Sequence, residues 1–116
     1  MRLLSLLFCL LATGATAQDY PNKPVRILVP YGPGGATDII ARIVAAKLTE
    51  SLGQSFVVEN RQGANGNIAL EAAAKAAPDG YTLLVGNVST NAINATIYAS
   101  QLTIRPSRDL LAITKL

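Results

Sequence analysis

The hydrophobic positions of this chain change period as it runs. Leu3–Leu11 is an apolar run with a single serine, Ser5, preceded by Arg2 and followed by the small-residue stretch Ala12–Ala17. Val25–Val29, between Pro24 and Pro30, is a short run interrupted only by Arg26, which predicts a strand buried on both faces. Ile40, Val44, Leu48 and Leu52 then recur at four-residue spacing with Ile43 beside them, which predicts a helix over 39–52. Thr37 or Asp38 suits its N-cap, and Gly53 suits a left-handed stop. Ser55–Glu59 reads as a second strand. Ile68–Ala77 reads as an alanine-rich second helix, with Glu71 and Lys75 placed as an i,i+4 pair. Pro78-Asp79-Gly80 is a turn, and Tyr81–Val85 reads as a third strand. A short helix is expected over Ala92–Tyr98, and Asp109–Leu116 resembles the opening of another strand.

The order is strand, helix, strand, helix, strand with short connections. That predicts an α/β fold with a parallel sheet and right-handed crossovers. With the first strand lying between the other two, the winding reverses beside it, and ligands gather at the carboxyl ends of strands at such a point. The loops there are Tyr31–Asp38 and Gly86–Asn94, both small and polar.

Helix starts present unpaired N–H groups and the positive end of a dipole, which together favour an anion. Tyr31, Gly34, Gly35, Ala36, Thr37 and Asp38 of the first loop, with Ser89, Thr90 and Asn91 of the other, are therefore the candidate ligand-binding residues. Such a site would hold a carboxylate without a formal positive charge. The glycines equally suit a tight strand-to-helix turn, and the sequence leaves both readings open. The loop Arg61–Asn67 follows what should be an edge strand, and the simpler reading is a helix cap through Asn65 or Asn67. Arg26, Arg42, Lys47 and Glu50 read as solvated charges.

Composition removes several chemistries. The chain has no histidine, and its single cysteine, Cys9, lies in the leading apolar run. A His-activated nucleophile, a His-bound zinc and a disulfide framework are excluded from residues 18–116. No cofactor is expected, and the chain reads as a non-enzyme. Without Arg2, nine basic residues face seven acidic ones, scattered along the chain and not interleaved with aromatics, so nucleic acid is not an expected partner. Residues 1–17 have the layout of a secretory signal peptide, with Ala15 and Ala17 before the cleavage point. Their apolar run is shorter than the ~20 residues of a spanning helix, so the processed chain is not expected to cross a membrane. Gly32-Pro33-Gly34 opens like a dinucleotide-binding fingerprint, but Thr37 stands where its third glycine belongs.

Three blocks taken in order carry a family resemblance: YPNKPVRILVPYGPGGATDIIAR, LGQSFVVENRQGANGNIA and APDGYTLLVGNVST. They resemble the extracytoplasmic receptors of tripartite tricarboxylate transporters, the Bug-type solute-binding proteins. The resemblance implies a type II periplasmic-binding-protein fold of two α/β lobes with the ligand in the cleft. It implies small carboxylate ligands, a periplasmic location and delivery to a membrane permease. It also implies that the loops matching Tyr31–Asp38 and Ser89–Asn94 line that cleft. Two lobes need a chain well beyond one ~100–200-residue domain, so residues 18–116 are expected to hold an incomplete first lobe. A truncated remnant, and a ligand-free interaction module for a permease or sensor, are the accompanying readings.

Overall fold

A computed structural model describes residues 19–116. The signal-peptide reading of residues 1–17, including Cys9, lies outside the described residues. Three strands, β1 (Val25–Val29), β2 (Phe56–Asn60) and β3 (Thr82–Leu84), form a parallel sheet in the order β2-β1-β3. Ile27 stands opposite Val58 on one side and Leu83 on the other. The ladder continues past the end of β3, where the Val85 N–H donates to the Leu28 carbonyl at 3.0 Å. The expected α/β order and the central position of the first strand are both present.

Right-handed crossovers with this strand order carry successive helices over opposite faces of the sheet. The burial agrees. Val25, Ile27 and Val29 point to one face and cluster with Phe56 and with Ala41 and Ala45 of α1 (Ala36–Leu52). Leu28 points to the other face, where Leu70 of α2 (Asn67–Lys75) is fully buried.

The buried face of α1 differs from the one the four-residue spacing predicts. Ala41 and Ala45 are buried, whereas Ile39, Ile40 and Ile43 are 52%, 44% and 60% exposed. Small alanines let the helix axis approach a sheet already filled with Val and Ile, and close packing rewards that fit over side-chain size. The helix also begins three residues earlier than expected. Gly35, in extended conformation, is its N-cap and no side chain caps it, so Thr37 and Asp38 lie inside the first turn. Gly53 closes the helix in the left-handed region, its N–H bonded to the Thr49 carbonyl at 3.0 Å.

Strand β2 is shifted one residue later than the pattern suggests, and β3 is shorter at both ends. Helix α2 stops at Lys75, ahead of Ala77, whose helical conformation Pro78 disfavours. A short 3₁₀ turn, Ala64–Gly66, precedes α2. The expected helix at 92–98 starts earlier, as a wide π-type turn over Ser89–Ile93 that runs into α3 (Asn94–Ile97). The strand expected over Asp109–Leu116 is not formed. Helix α4 (Pro106–Asp109) takes up its start, and Leu111, Ile113 and Leu116 stay exposed with no ladder partner among the described residues.

Candidate functional site

Three loops meet at the carboxyl edge of the sheet: loop 1 (31–35) after β1, loop 2 (61–66) after β2 and loop 3 (86–88) after β3. In loop 1, Gly34 sits at φ +87, a conformation that glycine adopts without strain, so the turn requires it. Gly35 is different. Its φ of −76 and ψ of 165 suit any residue, and a Cβ there would meet nothing closer than the Gly32 carbonyl oxygen at 3.8 Å. Neither backbone nor packing demands a glycine at 35. Its missing side chain leaves open space directly in front of the α1 N-terminus. The first helical bond runs from the Ile39 N–H to the Gly35 carbonyl, leaving the N–H groups of Ala36, Thr37 and Asp38 ahead of it.

Asp38 holds loop 1 in place. Its carboxylate is 3% exposed and accepts from the Gly34 N–H at 2.9 Å, the Arg42 Nε at 3.0 Å and the Asn60 Nδ2 at 2.8 Å. Asn60 Nδ2 also donates to the Tyr31 carbonyl, and the Arg42 Nη2 donates to Asn60 Oδ1. The Arg42 bond first, then the Gly34 amide and the Asn60 side chain, hold the Asp38 carboxyl far below the usual carboxylate range. Asp38 in turn pushes the Arg42 guanidinium up. Arg42 and Arg26 are exposed, as expected of solvated charges, but both are also paired: Arg42 with Asp38, and Arg26 with Glu59 at 2.7 Å across β1 and β2. With Arg42 committed to Asp38, and Arg61 lying 3.5 Å from Glu59, the donors left at loop 1 are uncharged amides.

Loop 3 is organised by side chains. Thr90 is fully buried; its N–H donates to Asn87 Oδ1 at 3.1 Å, while the Asn87 N–H donates to Thr90 Oγ1 at 3.0 Å. This reciprocal pair has the logic of a capping box. The Asn91 N–H closes the first turn onto the Asn87 carbonyl at 3.0 Å, which leaves the Val88 and Ser89 amides ahead of it. Tyr31 Oη donates to Asn87 Oδ1 at 3.0 Å and ties loop 1 to loop 3.

Of the nine candidate residues, the structure places Gly34, Gly35, Ala36, Ser89 and Asn91 at exposed positions and Thr37 at a half-buried one. Asp38 and Thr90 are buried with their polar atoms engaged inside the protein, and the Tyr31 hydroxyl is engaged by Asn87. The candidate residues left out Asn60 and Asn87, and loop 2 was read as a helix cap. Loop 2 does not cap α2 through asparagine: Gly66, at φ +90, is the cap residue and makes no side-chain bond. Asn65 and Asn67 instead serve Asn94, whose Nδ2 donates to the Asn65 carbonyl and to Asn67 Oδ1, both at 2.8 Å. Asparagines clustered after strand ends were the available signal.

Among the described residues, no three His, Cys, Asp or Glu side chains converge as a metal site, and no helix is long and apolar enough to cross a membrane. A shallow, open depression of about 750 Å³ lies between α1 and β2, lined by Ala45, Thr49, Phe56 and Val57 among others. Its Thr49 hydroxyl is already bonded to the Ala45 carbonyl and the Phe56 N–H, so it lacks the free convergent donors of the loop edge.

A parallel three-stranded sheet with exposed helix starts at one edge is an α/β architecture that solute-binding proteins share. The family described as tripartite tricarboxylate transporter family receptor matches residues 40–116, and the chain belongs to that family. The protein BugT of Bordetella pertussis is 49% identical over 79 residues, covering 68% of this chain and 24% of BugT. A UPF0065 protein from Agrobacterium vitis is 42% identical over 100 residues, covering 85% of this chain and 28% of its own length. The chain spans about a quarter of the length of these relatives. Among solved structures, MatC from Rhodopseudomonas palustris with bound malate superposes with a TM-score of 0.73 at 39% identity, covering 78% of this chain and 30% of MatC. Another R. palustris protein, solved with adipate, superposes at 0.72 with 43% identity, covering 77% of this chain and 29% of that one. The family is one of solute-binding receptors and not of enzymes, which removes the dinucleotide-enzyme reading of Gly32-Pro33-Gly34.

Proposed function

We propose that residues 18–116 supply the carboxylate-binding edge of the first lobe of an extracytoplasmic receptor. In this reading, residues 1–17 direct export to the periplasm, and the ligand passes to a membrane permease of the tripartite tricarboxylate type. The observation that carries the proposal is Gly35. The chain keeps a glycine where neither φ nor packing needs one, directly before three unpaired amides. A ligand carboxylate fits that space, accepting from Ala36, Thr37 and Asp38 N–H groups along a favourable dipole. The Val88 and Ser89 amides, tied to loop 1 through Tyr31 and Asn87, supply a second set of donors. MatC with malate and the adipate-bound R. palustris protein support a short carboxylic acid as the ligand class.

The test is a titration of the chain with malate, adipate and citrate, followed by amide NMR. Shifts centred on Ala36–Asp38 and Val88–Ser89 are expected. Because Gly34, Gly35, Ala36, Ser89 and Asn91 lie open to water, the affinity expected for this chain is about millimolar, near −4 kcal/mol. A chain that responds to none of these acids but binds a permease or sensor domain would be a ligand-free interaction module. Micromolar binding by a monomer would refute the picture of an open, one-sided site.

A further inference from the structure

Loop 2 holds no candidate ligand contact, yet it is packed more tightly against loop 3 than a simple connection requires. Gly66 is buried at φ +90, wedged between the end of β1 and the start of the loop 3 helix. A Cβ on it would lie 2.5 Å from Thr90 Cγ2 and 3.0 Å from Pro30 Cβ. Both distances are too short for a side chain to be added without movement. Thr90 is the residue whose hydroxyl and N–H clasp Asn87 and so aim the free amides of Val88 and Ser89. The same two segments are joined again further along. Buried Asn94 donates to the Asn65 carbonyl and to Asn67 Oδ1, and the Asn65 side-chain amide bonds the Tyr98 hydroxyl.

We infer that Gly66 is a positioning residue for the carboxylate site: it seats the Thr90 methyl and thereby sets the direction of the Val88 and Ser89 amides. The inference rests on the carboxylate-binding reading given above, and it deepens it by making loop 2 part of the site's machinery. Loop 2 acts without touching ligand. Its glycine fixes how far the loop 3 helix start lies from Pro30 and loop 1, and the Asn94 bonds hold that distance.

The test uses the full chain, with two readouts. The first is the amide resonances of Val88 and Ser89 without ligand; the second is malate affinity by the same titration. Gly66→Ala is expected to move both resonances and to weaken malate binding about fivefold, the equivalent of one amide-to-carboxylate bond. Thr90→Ser deletes the methyl that the new Cβ would strike and keeps the hydroxyl. The double variant Gly66→Ala/Thr90→Ser is therefore expected to recover the resonances and the affinity of Thr90→Ser alone to within about twofold, a rescue that the cost of the unusual φ cannot mimic. A folded Gly66→Ala with unmoved resonances overturns the inference, and so does a double variant as weak as Gly66→Ala. Should Gly66→Ala not fold, Asn67→Ala decides: it removes one acceptor of Asn94 from the first residue of α2, directly after Gly66 and far in sequence from loop 3. Shifted Val88 and Ser89 resonances support the inference, and unchanged ones overturn it. A wild-type chain indifferent to malate, adipate and citrate would end the carboxylate reading, while the ligand-free resonances would still judge the role of Gly66.

Discussion

The two helix starts at the carboxyl edge solve one problem in opposite ways. At α1 the cap residue is Gly35, with no side-chain bond, and the nearby acid reaches backwards to brace the loop. At loop 3 the cap is a pair of side chains, Asn87 and Thr90, clasped to each other. The first leaves three amides open by removing bulk. The second spends one amide on the clasp and gains a fixed orientation for the two that remain. A bare start suits close approach of a charged group, and a braced start suits a set direction. The difference teaches that glycine-rich and asparagine-rich turns at one sheet edge need not be redundant.

Blocking the bare start should have the largest effect. Gly35→Val places a branched side chain in the open space before the helix and is expected to weaken malate binding by about tenfold or more, as the loss of bonds to at least two amides would. Its unfolding midpoint in urea should fall only modestly, because the backbone there suits any residue and the space is empty, although valine is a poorer N-cap than glycine. Unchanged affinity would remove the cradle from the proposal. Next comes the braced start. Thr90→Val keeps the volume against Gly66 but strips the hydroxyl, leaving the Asn87 N–H without its partner. A loss of about 1–2 kcal/mol in urea unfolding is expected, the usual cost of a lost cap with a stranded donor.

The Asp38 brace separates the two starts by pH. Its carboxyl titrates far lower in the folded chain than the ~3.9 of an unfolded aspartate, so its contribution is fully present above that value and is lost as pH falls toward the folded one. Asp38→Asn should therefore be less stable than wild type at pH 6, and the gap should narrow in urea unfolding below about pH 4. A gap independent of pH would mean that the charge of Asp38 is not what holds loop 1. The smallest effect belongs to the tie between the starts. Tyr31→Phe removes one partly exposed hydrogen bond to Asn87 and should cost about 0.5 kcal/mol, visible as a drop of a few degrees in Tm.

The alternation of strands and helices was legible because β1 is an apolar run broken only by Arg26 and the helices stop just ahead of Gly53 and Pro78, signals local to a few residues. The loops carrying Gly34, Gly35, Ser89 and Asn91 were legible for the same reason, since parallel topology puts them at one edge. The buried face of α1 was not. Periodicity weighs large side chains, so Ile40 and Val44 marked a face, whereas Ala41 and Ala45 make the close contact. Loop 2 was illegible for another reason: Asn94 meets its partners across 27 and 29 residues, and a cap assignment needs no such contact. Asp38 looked like a cap because acids favour helix starts, and only the approach of Asn60 from the end of β2 shows why it points back.

The engagement of Arg42 by Asp38 has a consequence for how such a site would behave in changing surroundings. Lysine or arginine at a binding edge attracts anions over a distance, and dissolved ions damp that attraction within a Debye length of about 8 Å at physiological ionic strength. Here the half-exposed guanidinium is paired with an internal carboxylate, and the donors at the α1 start itself are backbone amides. Short-range dipoles lose little to screening. A receptor built on such an edge would hold its ligand almost equally well in dilute and in brackish surroundings, and would discriminate by contact rather than by charge alone.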